Sequence, residues 1–311
     1  MADLTRPTAS SFSSAVGPWL VLGAAVLWGT TGTAQAFAPA GYDSAAIGAL
    51  RLLIGGIALL LLALWRNELG SLRDWQLRPL LLAAFFIAMY QLTFFSAVAK
   101  TGVAVGTVVG IGSAPIAGGL LGLIFRGEKP GRRWYAATLL AICGCILLGF
   151  SGGEVTVDPL GIVLAIGAGA AYATYTLMIK GLLEHQSPNA VMAIVVCLGA
   201  LMLSPALFRI EAEWLLQPSS VVVALHLGLA TMALSYWLFA RGLQTVAVGS
   251  AVTLSLAEPM TAALLGIFVL GEILNLQAAG GIVLIFSGLA VLVIRPRSPK
   301  GGGGATHEPA A

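Results

Sequence analysis

The chain reads as an all-α membrane protein: ten transmembrane helices arranged as two inverted five-helix repeats. Three observations predict this. Of the 311 residues, 58% are apolar and only 9% charged, against roughly 25% charged in a soluble domain. The apolar residues gather into ten continuous stretches, each long enough to cross about 30 Å of hydrocarbon as a helix, without the alternating period of a barrel strand. The second half also repeats the first. Val103-Ala104-Val105-Gly106-Thr107 returns as Val246-Ala247-Val248-Gly249-Ser250, an offset of 143; Pro115 with Gly127-Glu128 returns as Pro259 with Gly271-Glu272, an offset of 144; and Gly144 returns as Gly288. A unit with an odd number of spans, followed by its copy, must place that copy upside down in the bilayer. The result is a pseudo-two-fold axis in the membrane plane with a binding site between the halves, the construction of many secondary transporters.

In chain order the spans are expected at 18–37, 44–65, 78–99, 103–125, 133–151, 159–181, 187–208, 218–241, 245–270 and 274–294. Residues 1–17 form a leading segment, 18–151 the first repeat, 159–294 the second, and 295–311 a disordered tail containing the run Gly301 to Gly304. Span 1 has a signal-peptide look, because Ala34-Gln35-Ala36 imitates a cleavage site. The single Arg before it and its repeat partner in span 6 (Trp28 plus 144 is Tyr172) favour a retained helix. The polar turn cluster from Ser151 to Pro159 joins the repeats.

Charge sets orientation. With ten spans both termini share one side, and that side carries Arg6, Arg66, Arg73, Arg78, Arg126, Lys129, Arg132, Arg133, Lys180, Arg241, Arg295, Arg297 and Lys300; the other side has Lys100 and Arg209. This bias predicts cytoplasmic termini in a bacterial-type inner membrane. The net charge of +3 therefore reports orientation and not a nucleic-acid partner; the partners expected are a lipid bilayer and a small-molecule solute. Cys143, Cys145 and Cys197 fall inside spans and read as small packing residues. No metal or cofactor is expected: there is no His-Glu-x-x-His motif and no Gly-x-x-x-x-Gly-Lys phosphate loop.

Span 4 has small residues every fourth position: Gly102, Gly106, Gly110, Ala114, Gly118 and Gly122. Span 9 answers with Thr245, Gly249, Thr253, Ala257 and Thr261. Such stripes let helices approach closely in a bilayer, here within the molecule rather than between copies. Pro115 and Pro259 lie near the middle of the same two spans and are expected as paired hinges, since each removes a backbone hydrogen bond.

These features resemble the EamA-type transporters of the drug/metabolite transporter superfamily: Trp28-Gly29-Thr30 in span 1, Arg51 in span 2, and half-repeats ending in Pro115…Gly127-Glu128 and Leu256-Ala257-Glu258-Pro259…Gly271-Glu272. The resemblance covers about residues 18–294. It implies metabolite transport, often export, through a cavity lined by spans 1, 3, 4, 6, 8 and 9, and within the superfamily the chain looks most like the bacterial aromatic amino-acid exporters. Half two departs from half one, with Tyr172-Ala173-Thr174 for Trp-Gly-Thr and Val195 where Arg51 would recur.

An ionisable side chain at mid-bilayer costs about 2.5–3.5 kcal/mol on insertion scales, so each one needs a reason. Glu258 lies near the centre of span 9. Two readings stand for it: a coupling or substrate-amine site, because burial eases protonation of a carboxylate, or a structural pair with Arg51. Arg51 reads as a tie between helices, with a bidentate hold on a carboxylate substrate as the other reading. His226, roughly 12 Å deep in span 8, is either a proton relay or an interhelical hydrogen bonder. Glu128 and Glu272, following Gly at helix ends, read as structural.

The candidate binding positions are aromatic and amide groups sharing faces: Trp28, Thr31 and Gln35 on span 1; Tyr90, Gln91 and Phe94 on span 3; Tyr172 and Tyr175 on span 6; Tyr236 and Trp237 on span 8. If these faces converge, they line a cavity for an apolar or aromatic side chain with a polar end. The leading function is export of small amphipathic solutes, aromatic and other apolar amino acids first, by alternating access. The rival is export of lipophilic cations on Glu258 and the rings. An intramembrane enzyme and a non-transporting receptor are the different-class alternatives.

Overall fold

A computed structural model describes residues 15–39, 41, 43–150, 158–210 and 212–294. The leading segment up to residue 14, the join at 151–157 and the tail from Arg295 lie outside the described residues. Among the described residues nine helices are long and apolar enough to cross a membrane. The twenty-residue helix Gly17–Ala36 completes the ten, its apolarity diluted by Thr30, Thr31, Thr33 and Gln35. In order these are α1 (Gly17–Ala36), α2 (Ser44–Trp65), α3 (Leu77–Val98), α4 (Val105–Arg126), α5 (Arg132–Gly149), α6 (Pro159–Leu182), α7 (Pro188–Leu207), α8 (Pro218–Leu243), α9 (Val248–Leu270) and α10 (Leu276–Val293). The face where α1 begins and α10 ends is called the terminal face, the opposite one the far face.

Three departures from regular helices matter. Backbone from Leu77 to Arg126 keeps helical local geometry over 50 residues, and as one straight rod it would reach about 75 Å. It doubles back instead, because a Cβ placed on Gly106 would lie 3.0 Å from Cα of Val98. α8 contains nine residues of π-helix, His226–Leu234. α9 is interrupted: helix runs Val248–Leu254 and resumes at Ala257–Leu270.

The two-fold relation is written into individual contacts. A Cβ on Gly144 of α5 would meet the Gly281 carbonyl of α10 at 2.7 Å, and a Cβ on Gly288 of α10 would meet the Ala137 carbonyl of α5 at 2.6 Å. Gly288 and Gly281 are Gly144 and Ala137 displaced by 144, so one contact is the image of the other, as in an isologous interface. Likewise a Cβ on Gly17 would strike Thr245, and one on Gly161 would strike Thr101. The small-residue stripes also meet inside the molecule, where Gly118 and Gly119 of α4 abut Gly249 and Val252 of α9. Gly127 and Gly271 end α4 and α9 in left-handed conformation, φ 62° and 76°, which glycine adopts without steric cost. In each copy the following Glu folds back over its own helix, Glu128 against Gly122 and Glu272 against Gly266.

Candidate functional site

Seven rings from four helices form one connected cluster, to which Phe95 is attached through Phe94 at a centroid separation of 5.8 Å. Trp28 of α1 touches Tyr172, Tyr236 and Phe239 at centroid separations of 6.2, 5.1 and 5.3 Å. Tyr90 of α3 touches Phe94 at 5.7 Å and Tyr172 at 5.5 Å. Tyr175 closes the circuit to Tyr172 and Tyr236, 6.3 and 6.2 Å away. These separations are those of attractive edge-to-face and tilted ring pairs. The helices come from both repeats, α1 and α3 from the first and α6 and α8 from the second, so the cluster straddles the pseudo-two-fold axis.

Six of the ten positions expected from the sequence thus meet: Trp28, Tyr90, Phe94, Tyr172, Tyr175 and Tyr236. Phe239 is a seventh member that sequence reading missed, although its i+3 spacing from Tyr236 puts it on the same face. Gln91 is buried beside α2, with Oε1 3.9 Å from where a Cβ on Gly48 would stand. Thr31 and Gln35 continue along α1 toward the far face, half-buried. Trp237 turns away from the rings and stacks beneath Arg241, whose guanidinium carbon is 4.1 Å from the ring centroid. Trp28, Tyr175, Tyr236 and Phe239 are buried, while Tyr90, Phe94 and Tyr172 are half-buried. A cleft of about 410 Å³ lies elsewhere, at the terminal face between Pro18 and Trp19 of α1, Ser250 of α9 and Leu292 of α10.

Beside the rings stands the interruption of α9. Pro259 has no N–H to give the Ser255 carbonyl. That carbonyl accepts from the Glu258 N–H at 2.9 Å instead, and Leu256 N–H donates to Thr253 at 3.1 Å. These are the tighter i→i−3 bonds of a 3₁₀ turn, and ψ opens to −15° at Ser255 and −5° at Leu256. The Ser255 hydroxyl shares a hydrogen bond of 2.8 Å with the Tyr172 hydroxyl, joining the break to the cluster. Ser255 is the second residue sequence reading missed. Glu258 opens the resumed helix, an acidic group at the positive end of its dipole. The close approach of α1 is made at Gly29, whose Cβ would lie 2.7 Å from the Glu258 carbonyl. Glu258 is within electrostatic range of Arg51, Tyr90, Tyr172 and Tyr236. Pro115, by contrast, lies inside uninterrupted helix.

Arg51 is buried, and its Nη2 donates to the Thr231 carbonyl at 3.3 Å, inside the π-helical stretch. It forms no ion pair among the described residues. His226 Nε2 lies 2.8 Å from the Thr30 hydroxyl, which ties α8 to α1.

Both faces are tied across the repeats. On the far face Lys100 pairs with Asp158 at 3.7 Å and Asp43 with Arg209 at 3.5 Å. N–H groups of Gly161 and Leu160, with Lys100 alongside, hold the Asp158 carboxyl below the usual carboxylate range. On the terminal face Arg126 pairs with Glu184, and Glu128 Oε2 accepts the Val248 N–H at 2.9 Å. The hydrogen bond from Arg126 holds Glu184 below its ordinary value.

A bilayer-spanning pair of inverted repeats, converging on a buried aromatic cluster beside a broken helix, defines the secondary-transporter class. The EamA-like transporter family matches residues 15–150 and again 159–294, once per repeat, and the chain belongs to it as a multi-pass membrane transporter. It is 45% identical over 280 residues to the uncharacterized transporter YwfM of Bacillus subtilis (strain 168), covering 90% of this chain and 94% of the relative. It is 26% identical over 286 residues to the uncharacterized inner membrane transporter YicL of Salmonella typhimurium, covering 89% and 95%. A solved crystal structure shares the fold with a TM-score of 0.79 and 19% identity, over 90% of this chain and 96% of the other; at that identity the likeness carries the fold alone.

Proposed function

We propose that the protein exports small amphipathic solutes, aromatic and other apolar amino acids first among them, across a bacterial-type inner membrane with both termini cytoplasmic. The observation that carries the reading is the seven-ring cluster contributed by both repeats. Ring faces bury an apolar side chain, and Glu258 beside them suits an amino group. Ties on both faces fit an occluded arrangement, and alternating access opens one set at a time as the repeats rock, with the break before Pro259 as the hinge. Glu258 is the group proposed to couple solute to protons, with His226 as a second protonatable group bridging α1 and α8. Arg51, by its charge, weighs against lipophilic cations as the main cargo, although Glu258 and the rings alone would accept them.

The test is flux of tryptophan, phenylalanine, methionine and threonine in proteoliposomes, with and without a proton gradient. Uptake of tryptophan and phenylalanine that the other amino acids compete is expected. No amino-acid flux, with uptake of a lipophilic cation under the same conditions, would replace this reading by the cation one.

A further inference from the structure

Buried polar groups in folded proteins find partners, and the exceptions require explanation. Arg51 is 8% exposed and Gln91 4%. The Arg51 Nε and the Gln91 Nε2 are both buried with no hydrogen-bond partner among the described residues. Among the described residues the one bond of the Arg51 guanidinium is the long 3.3 Å contact to the Thr231 carbonyl, although this group carries five N–H donors in a planar fork. Gln91 reaches α2 at Gly48, with its Oε1 3.9 Å from where a Cβ there would stand, and Gly48 lies three residues from Arg51 on the same helix face. The Trp28 indole N–H, within the ring cluster, is a third buried donor without an acceptor. All three orphans are donors. A site with unspent N–H groups and a buried positive charge complements an acceptor-rich anion.

The two-fold relation sharpens the argument. The position 144 residues beyond Arg51 is Val195, and the position 144 before Glu258 is Ala114; both are buried. Half one therefore supplies the cation and half two the carboxylate, and neither charge is repeated. Their separation exceeds ion-pair contact. Two opposite charges held apart beside an aromatic cluster match a solute with opposite charges at its own two ends.

Resting on the amino-acid reading above, we propose that Arg51 and Gln91 form a carboxylate-binding subsite at the α2–α3 edge of the cluster, which takes the acid end of a zwitterionic solute. The Arg51 fork receives the carboxylate oxygens, Gln91 adds a third donor, and the ammonium end lies toward Glu258.

The experiment is binding of radiolabelled tryptophan and of radiolabelled tryptamine, its decarboxylated analogue, to the full-length protein in detergent and in proteoliposomes. Competition by tryptophan methyl ester is measured alongside. On the unaltered protein the ester is expected to compete at least about tenfold more weakly than tryptophan. In Arg51→Gln, tryptophan binding falls by at least about tenfold while tryptamine binding is kept or rises; Arg51→Lys restores part of the loss. Equal competition by ester and acid, or a parallel loss of tryptophan and tryptamine in Arg51→Gln, overturns the subsite while leaving amino-acid transport standing. Tryptophan that neither binds nor crosses with the unaltered protein overturns both. Should Arg51→Gln fail to elute as a monodisperse species, the ester comparison on the unaltered protein decides alone.

Discussion

α4 and α9 are copies of one helix, each with proline at the same place, yet one is continuous and the other broken. α4 stays helical through Pro115, whereas two residues fall out of helix before Pro259. Proline alone therefore does not make the break. What differs is the company it keeps. In α9 the carbonyl left without a donor belongs to Ser255, whose hydroxyl bonds back to Ala251 at 3.1 Å and across to Tyr172 at 2.8 Å. Its counterpart in α4 is Ile111, which has no such group, and the counterpart of Glu258 is Ala114. Duplication built a symmetric scaffold, and chemistry entered where the copies diverged.

The largest expected effect comes from restoring symmetry at the charge. Glu258→Ala, which gives half two the residue of half one, should reduce solute flux by roughly a hundredfold or more, within the range for loss of a positioned acid–base group. Glu258→Gln should flatten the dependence of flux on pH between about pH 5 and pH 8, the range over which a proton-coupled group would act. Flux that keeps the same pH profile in Glu258→Gln removes this carboxylate from coupling. The next effect separates the two prolines. Pro259→Ala supplies the missing N–H and favours continuous helix, so turnover is expected to fall about tenfold, as for a disturbed hinge. Pro115→Ala, in helix already continuous, should change turnover less than about threefold. Equal effects would show that both prolines bend in turn as the repeats rock, which is the paired-hinge expectation.

A smaller and deliberately symmetric effect is expected at the α5–α10 crossing. Gly144→Val and Gly288→Val each force a side chain into a carbonyl of the partner helix, with Cβ distances of 2.7 and 2.6 Å. Each should lose about 1–3 kcal/mol by overpacking, read as similar falls in melting temperature in detergent. A large loss in one with none in the other would break the image relation between these contacts.

The scaffold was legible in the sequence because it rests on quantities that sequence carries directly: the length of apolar runs and the spacing of small residues that recur 144 apart. The site was half legible. Adjacent residues on a helix point about 100° apart, so of Tyr236 and Trp237 one ring could join the cluster. Which one depends on the rotation of α8, which its π-helical stretch alters, and no local pattern announces that stretch. Phe239 was recoverable from its spacing to Tyr236. Ser255 was not, since its role comes from facing Tyr172 across two helices. For Arg51 the sequence left two readings, a tie and a hold on a carboxylate; its bond to Thr231 and its unpartnered Nε are visible only once its surroundings are packed.

The smallest effect compares the two faces. The terminal face holds Arg126 and Glu184 together in solvent, with Glu184 side-chain exposure of 51%, while the far face holds Lys100 and Asp158. Glu184 has a depressed pKa because it accepts from Arg126. A group with a lowered folded value stabilises the tied state above its unfolded pKa and loses that contribution as pH falls through the folded one. The terminal-face tie should therefore be fully in place at neutral pH and weaken only below the ordinary glutamate range near about pH 4.3. Solvent screening limits an exposed pair of this kind to about 0.5 kcal/mol or less. Glu184→Gln should accordingly raise the labelling rate of a cysteine placed at Ser250, beside the terminal-face cleft, by at most about twofold at neutral pH. It should leave the labelling unchanged by acidification to the foot of the carboxylate range. A labelling rate that rises many-fold would mean that this one exposed pair, rather than the half-buried Glu128 bond to Val248 and the packing of α4 on α9, keeps the terminal face shut.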